Sequence, residues 1–284
     1  MTPNRSPPLC GASTYPKPRR VKSRNRGGGP TRPWCSLRDV RLFAGTSGYS
    51  YAPWKGSFYP EKWPATKMLA YYAGKLPTVE INNTFYRMPN RDLVARWAKE
   101  VPDTFRFALK APQRITHQKK LHDCDSEIVH FADVADALGE KRGPVLFQLP
   151  PTMRKDLARL ETFLATLKTK APALRPAFEF RHPTWFDEET NQALRAGGAA
   201  LCISESEDLA TPLVATAGWG YLRLRRQDYD DAAVTVWAGR IAAQPWDETY
   251  VFFKHEDEGK GPQLAASLLA SPLLAAAGGE KAAS

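Results

Sequence analysis

PVLFQLPPTMRKDLARLETFLATLKTKAPALRPAFEFR, residues 144–181, holds the repeating unit of the chain. PVLFQLP (144–150) is a short apolar run bounded by prolines, the pattern of a strand buried on both faces. From Asp156 to Leu167, Leu157, Leu160, Phe163, Leu164 and Leu167 fall on one face at helical spacing. PAFEFR (176–181) then returns to strand chemistry. Strand, helix, strand predicts a βαβ unit and parallel pairing.

The same alternation continues on both sides. Strand-like runs precede it at VRLFAGTS (40–47), TVEINNTF (78–85) and FRFALK (105–110), and follow it at AALCIS (199–204), GYLRLR (220–225) and TYVFFKH (249–255). Helical patterns lie between them at 66–75, at 91–101 behind the N-cap Asn90, and at 126–138. Others span 187–195 (running up to Gly197-Gly198), 230–242 and 262–269. The connection 205–218 is the weakest and is expected to hold at most a short turn of helix. Eight such units predict a single α/β domain over residues 40–271, a (β/α)₈ TIM barrel. A doubly wound open sheet is the alternative, but no GxGxxG or GxxxxGK[ST] follows any strand.

Residues 1–39 read differently. The first 38 carry nine of the 40 Lys and Arg residues, no acidic residue, seven prolines and the run Gly27-Gly28-Gly29. Such a segment buries too little apolar surface to offset its ordering entropy, so it is expected to be a disordered basic tail. It reads either as a dispensable extension or a misassigned start codon, or as an arm for nucleic acid or an acidic partner. The remaining 31 basic residues face 30 acidic ones, so the barrel itself has no global basic footprint. Residues 272–284 read as a flexible C-terminal tail.

No stretch approaches the roughly 18 apolar residues of a membrane span, and no secretory h-region opens the chain, so a cytoplasmic protein without a membrane partner is expected. The four cysteines form no CxxC pair, and the group His117, His122 and Cys124 lacks regular ligand spacing and a fourth partner. No metal and no cofactor is expected.

In a TIM barrel the chemistry gathers at the carboxyl ends of the strands, and polar residues stand there. Strand one ends in Thr46 and Ser47, followed by Tyr49 and Trp54; strand two carries Glu80, Asn82 and Thr84. Lys110 ends strand three, Gln148 strand four, and Glu179-Phe180-Arg181-His182 strand five. Strand six runs into Ser204-Glu205, strand seven holds Arg223 and Arg225, and strand eight ends in Lys254-His255. Period-2 alternation sets Glu80 and Asn82 against Val79 and Ile81, Glu179 and Arg181 against Phe178 and Phe180, and Tyr221, Arg223 and Arg225 against Leu222 and Leu224. With the apolar face on the helices, the charges point inward, either as a mutually neutralising polar core or as a site.

The chemistries differ in what they require. A retaining glycosidase needs two carboxylates about 5 Å apart, and strands four and seven offer none. The lysines and arginines disfavour a divalent cation. No GxSxG elbow is present. A Schiff base at Lys110 rests on one residue. Two arginine-bearing strand ends with Lys110 and Lys254 favour an anionic ligand. The aromatic residues after strand one serve either as a packed lid or as a stacking platform for a sugar or base. The expected partner is thus a small anionic or sugar-like molecule. Glu80, Glu179 and Lys110 are the candidate catalytic groups of a hydrolase, lyase or isomerase. Thr46, Ser47, Tyr49, Trp54, Asn82, Thr84, Gln148, Arg181, His182, Glu205, Arg223, Arg225 and Lys254 are the candidate substrate contacts. The alternative is a non-catalytic binding module, for instance for single-stranded nucleic acid.

GTSGYSYAPWKGSFYP (45–60), VEINNTFYRMP (79–89), FRFALKAPQRITH (105–117), GPVLFQLPP (143–151) and EFRHPTWF (179–186) resemble the blocks of the YecE-like family, domain of unknown function 72. The resemblance runs from about Leu42 to Leu269 and implies a TIM barrel, but it supplies no activity. It adds Tyr86 and His117 to the polar residues of interest. The chain departs from the family pattern at Leu224-Arg225-Arg226, where an RxHG-like ending is common, and at Lys254-His255, where asparagines are common. Both departures make the pocket more basic.

Overall fold

The computed structural model describes residues 40–206, 209–255 and 257–275. Residues 1–39, with the tail and nucleic-acid readings placed on them, and residues 276–284 lie outside this range.

Eight parallel strands close into a barrel in chain order. They are β1 (Arg41–Ser47), β2 (Thr78–Ile81), β3 (Arg106–Lys110), β4 (Arg142–Gln148), β5 (Pro176–Glu179), β6 (Ala200–Glu205), β7 (Trp219–Leu224) and β8 (Glu248–Phe253). Closure comes from β1, which pairs with β2 and also with β8 from Arg41↔Glu248 to Thr46↔Phe253. Gly45 makes the β1–β2 approach possible, because a Cβ there would stand 2.0 Å from the Thr78 carbonyl oxygen.

The helices are α1 (Met68–Ala73), α2 (Asn83–Tyr86), α3 (Arg91–Lys99), α4 (Asp125–Asp136), α5 (Leu157–Lys170), α6 (Glu188–Ala196), α7 (Asp231–Ala242), α8 (Lys260–Leu269) and α9 (Pro272–Ala275). Asn90, Asp156, Asp187 and Asp230 each accept a hydrogen bond from the backbone N–H three residues on, which starts α3, α5, α6 and α7. Among the described residues, the connection from β6 to β7 contains no helix. Residues 272–275, expected in the flexible tail, instead form a helical turn that buries Leu274. No helix among the described residues is long and apolar enough to cross a membrane.

The alternation read from the sequence sorts the strand side chains into two cores. Val79, Ile81, Phe107, Leu109, Phe147, Phe178, Leu222 and Leu224 pack outward with the helices. Ala108, Leu146, Ala177, Cys202, Tyr221, Tyr250 and Phe252 fill the barrel interior. The amino-terminal end is plugged by Phe43 stacked on Tyr250, ring centroids 4.9 Å apart, and by Arg41 and Arg175 pairing with Glu248. Polar chemistry therefore concentrates at the other end, where the inward positions become Glu80, Lys110, Gln148, Glu179, Ser204 and Arg223.

Candidate active site

The deepest polar tier is an ion triad. Arg223 donates from one terminal nitrogen to Glu80 (2.9 Å) and from the other to Glu179 (2.6 Å), and all three side chains are buried. Tyr221 donates to the second oxygen of Glu80 at 2.7 Å, and Gln148 to the second oxygen of Glu179 at 2.9 Å. Arg225 approaches Glu179 at 3.8 Å. All four carboxylate oxygens are therefore engaged, as buried charge requires. Burial by itself would raise the Glu179 carboxyl, but Arg223, Arg225 and the donated hydrogen bonds more than offset it and hold it below the ordinary glutamate range. Burial, reinforced by Glu80, pushes the Tyr221 phenol well up, so that it stays a donor. The expected acid/base role of Glu80 and Glu179 fits this poorly, because both carboxylates are committed to holding Arg223.

Lys110 stands differently. It ends β3 on the inner face, is 9% exposed, and has its Nζ 3.9 Å from the centroid of the Phe85 ring. Burial, helped by Arg223, lowers its ammonium to about 8, although Glu80 and Glu179 oppose the shift. His117 lies on a turn of π-helix (Arg114–Gln118) and packs edge-on against the same Phe85, 4.9 Å between centroids. Burial, then Lys110 and Arg181, lower the His117 imidazole, which keeps it neutral at pH 7. Thr84 donates to the Lys110 carbonyl at 2.6 Å and so ties α2 to the end of β3.

Above the triad lies a cationic rim. Arg225 is half-buried, and its guanidinium is lowered by burial and then by Arg223, with Arg181 also acting on it. Among the described residues the buried Nε atoms of Arg223 and Arg225 and the buried hydroxyl of Ser47 have no hydrogen-bond partner. Asn82 and Tyr49 line a cavity of about 150 Å³ between the loops after β1 and β2, with Ile81 and Trp97 among its walls. Lys254 follows the end of β8 and is half-buried.

Several expected contacts are corrected. Arg181, expected to point into the barrel, is instead exposed past the end of β5, where its charge still acts on Arg225: β5 ends at Glu179, Phe180 stacks on Trp185 at 4.5 Å, and Pro183 follows. Thr46 faces outward, bonding the Tyr72 hydroxyl and the Gly48 carbonyl, whereas its neighbour Ser47 is the inward residue. Trp54 is fully buried among Tyr51, Phe58 and Tyr59, so the aromatic loop is packing and Trp54 offers no surface to a ligand. Glu205 turns outward to Tyr229 and Trp237. The His182 ring accepts from the Thr184 backbone and caps a short 3₁₀ turn. The Thr84 hydroxyl is occupied by the carbonyls of Ile81 and Lys110. Phe85, the wall behind Lys110 and His117, was not singled out in the sequence, because an aromatic residue after a strand carries no sign of its role. Tyr221 lies on the alternating face of Arg223, which is the signal that points to it. Among the described residues no group of three or more His, Cys, Asp or Glu could hold a metal ion.

Comparisons with known proteins place this barrel among relatives. UPF0759 protein YecE of Escherichia coli (strain K12) is 34% identical over 141 residues, covering 48% of this chain and 51% of YecE. UPF0759 protein YunF of Bacillus subtilis (strain 168) is 32% identical over 173 residues, covering 56% of this chain and 60% of YunF. The chain thus spans between half and three-fifths of these curated relatives. Among solved structures, a DUF72 family protein from Thermotoga maritima MSB8 superposes with a TM-score of 0.71 at 26% identity, over 81% of this chain and 98% of that one. A DUF72 family protein from Enterococcus faecalis V583 superposes with a TM-score of 0.65 over 81% of this chain and 96% of that one; at 20% identity this is a likeness of fold alone. The profile of the family described as "Protein of unknown function DUF72" matches residues 43–279, and the chain belongs to that family.

Proposed function

We propose that the barrel is an enzyme that binds a small anionic substrate at the carboxyl end of its strands and works by proton transfer through Lys110. One observation carries this reading. Lys110, Arg223 and Arg225 act electrostatically on one another and, among the described residues, on the carboxylates Glu80 and Glu179, and Arg181 adds its charge beside Arg225. The cluster holds two positive charges in excess before anything binds. An anion arriving on the part-exposed Arg225 guanidinium would meet a fork of donors and neutralise the excess together. The unpartnered hydroxyl of Ser47, an inward residue at the end of β1, suits a hydroxyl group of the same molecule.

In this reading Arg223 and its two glutamates form a rigid floor, and the mobile proton belongs to Lys110. A lysine near 8 is close to the working pH, which is where proton transfer in either direction is efficient. The imidazole of His117, packed edge-on against the same Phe85 ring, is a second proton acceptor within the same electrostatic neighbourhood. A thermal-shift screen against phosphate esters, carboxylates, neutral sugars and amines tests the reading, because a ligand bound only to the folded state raises its melting temperature. Anions should stabilise the protein at constant ionic strength and neutral sugars should not. A panel in which no anion shifts the melting temperature would remove the reading.

A further inference from the structure

We infer that Lys110 is a covalent centre whose ε-amine condenses with the carbonyl carbon of an anionic aldehyde or 2-oxo acid. The inference rests on the anion-binding reading above and adds a bond-forming step to it.

Three structural features carry it. First, the ammonium is isolated: among the described residues Lys110 Nζ has no ion pair and no hydrogen bond, and rests only on the face of Phe85. Lys155 shows the ordinary arrangement, paired with both Asp187 and Glu189. Second, the carboxylates beneath Lys110 are already taken, their four oxygens engaged by Arg223, Tyr221 and Gln148. Third, Arg225 stands beside the site with 24% of its side chain exposed, so the carboxylate of a 2-oxo acid has a cation to meet while its carbonyl faces the amine. Desolvation and neighbouring cations are what make a lysine nucleophilic near neutrality. With its ammonium near 8, roughly one Lys110 in ten is the free amine at pH 7, against about one in three thousand for an ordinary lysine.

The step balances without a co-reactant. The ammonium gives a proton to solvent water, and the amine lone pair attacks the carbonyl carbon. The carbon–oxygen π pair moves to oxygen, which takes up a proton to give a carbinolamine. A second proton from the nitrogen side and the hydroxyl leave as water, so that ammonium plus carbonyl yields protonated imine plus water. The product keeps one positive charge but has fewer N–H donors to satisfy, which suits a site that offers Lys110 no acceptor.

The full-length protein is incubated with glyoxylate and cyanoborohydride, and the reduced adduct is mapped by peptide mass spectrometry. One adduct per chain is expected at Lys110, forming on the order of a hundredfold faster at pH 7 than at an average surface lysine. Lys110→Arg, checked for folding by its melting curve, should lose it. In the unaltered protein the rate at Lys110 should level off above pH 8, while surface lysines keep rising toward 10.5. Labelling spread over surface lysines with Lys110 unmodified, or a Lys110 profile that tracks them, overturns the inference. Propionaldehyde and Arg225→Met separate the two claims. If phosphate raises the melting temperature while Lys110 stays unlabelled, the imine falls and anion binding stands. If propionaldehyde labels Lys110 as fast as glyoxylate and Arg225→Met slows neither, the covalent centre stands and the anion reading falls.

Discussion

Arg223→Met removes the one side chain that holds two buried carboxylates, and its consequences follow from the triad. Glu80 keeps only the Tyr221 hydrogen bond, and Glu179 keeps Gln148 and a 3.8 Å approach from Arg225. Stranding one buried charge costs about 3–5 kcal/mol. Glu80 bears that loss in full and Glu179 only in part, so a destabilisation of about 4–6 kcal/mol at pH 7 is expected. The pH dependence is the sharper test. In the intact protein the folded Glu179 carboxyl lies below its unfolded value, so its contribution is present above the ordinary glutamate range and is lost as pH falls through the folded value. Without Arg223 the desolvation of Glu179 is no longer offset, and its carboxyl should titrate above its unfolded value. The folded variant then binds more protons than the unfolded chain, and its stability falls as pH rises. Urea unfolding at pH 5 and pH 7.5 should therefore show a deficit that narrows markedly at the lower pH. Adding Glu80→Gln and Glu179→Gln should recover most of it. A deficit under 1 kcal/mol, or one equal at both pH values, would refute the assignment of the triad as the buried electrostatic floor.

Lys110→Met should stabilise the fold. A shift from 10.5 to about 8 corresponds to about 3 kcal/mol at 1.36 kcal/mol per unit, less about 1 kcal/mol for the lost contact with Phe85. Because the unfolded lysine binds its proton more tightly, the burden is present below pH 8 and fades toward 10.5. Melting curves at pH 7 and pH 10 should show the gain at the first and little at the second; a loss at pH 7 would make Lys110 a structural partner. Trp54→Ala should cost about 3–5 kcal/mol in chemical denaturation, since it empties a fully buried aromatic cluster. Arg181→Ala should stay within about 0.5 kcal/mol, because the side chain is exposed.

The barrel was legible because the strand pattern recurs eight times with helical patterns between most of the strands, and because alternation separates an inner from an outer face wherever a strand has four or more residues. The same rule brought Glu80, Glu179 and Arg223 to the interior. It also accounts for two of the errors: Glu205 alternates with Ser204 and Thr46 with Ser47, so each outward residue sits beside an inward one at a strand end. Arg181 escaped for another reason. The strand is cut short by the stacking of Phe180 on Trp185, a contact that no period announces. Nor does a sequence say which cation wins the carboxylates. Arg223, Arg181, Arg225 and Lys110 are equivalent on paper, and only the register of β7 across the barrel from β2 and β5 gives both glutamates to Arg223. Among the described residues, that outcome leaves the Lys110 ammonium without a direct ion pair, on the face of Phe85.

The central claim is that the cationic rim binds an anion. Isothermal titration of inorganic phosphate into the intact protein and into the Arg181→Ala/Arg225→Met variant, at matched ionic strength, tests it most directly. Each charge-assisted contact contributes about 1.5–3 kcal/mol, so the variant should bind at least about tenfold more weakly while melting within a few degrees of the intact protein. Equal affinity in the two proteins, or no measurable heat with either, would contradict the claim.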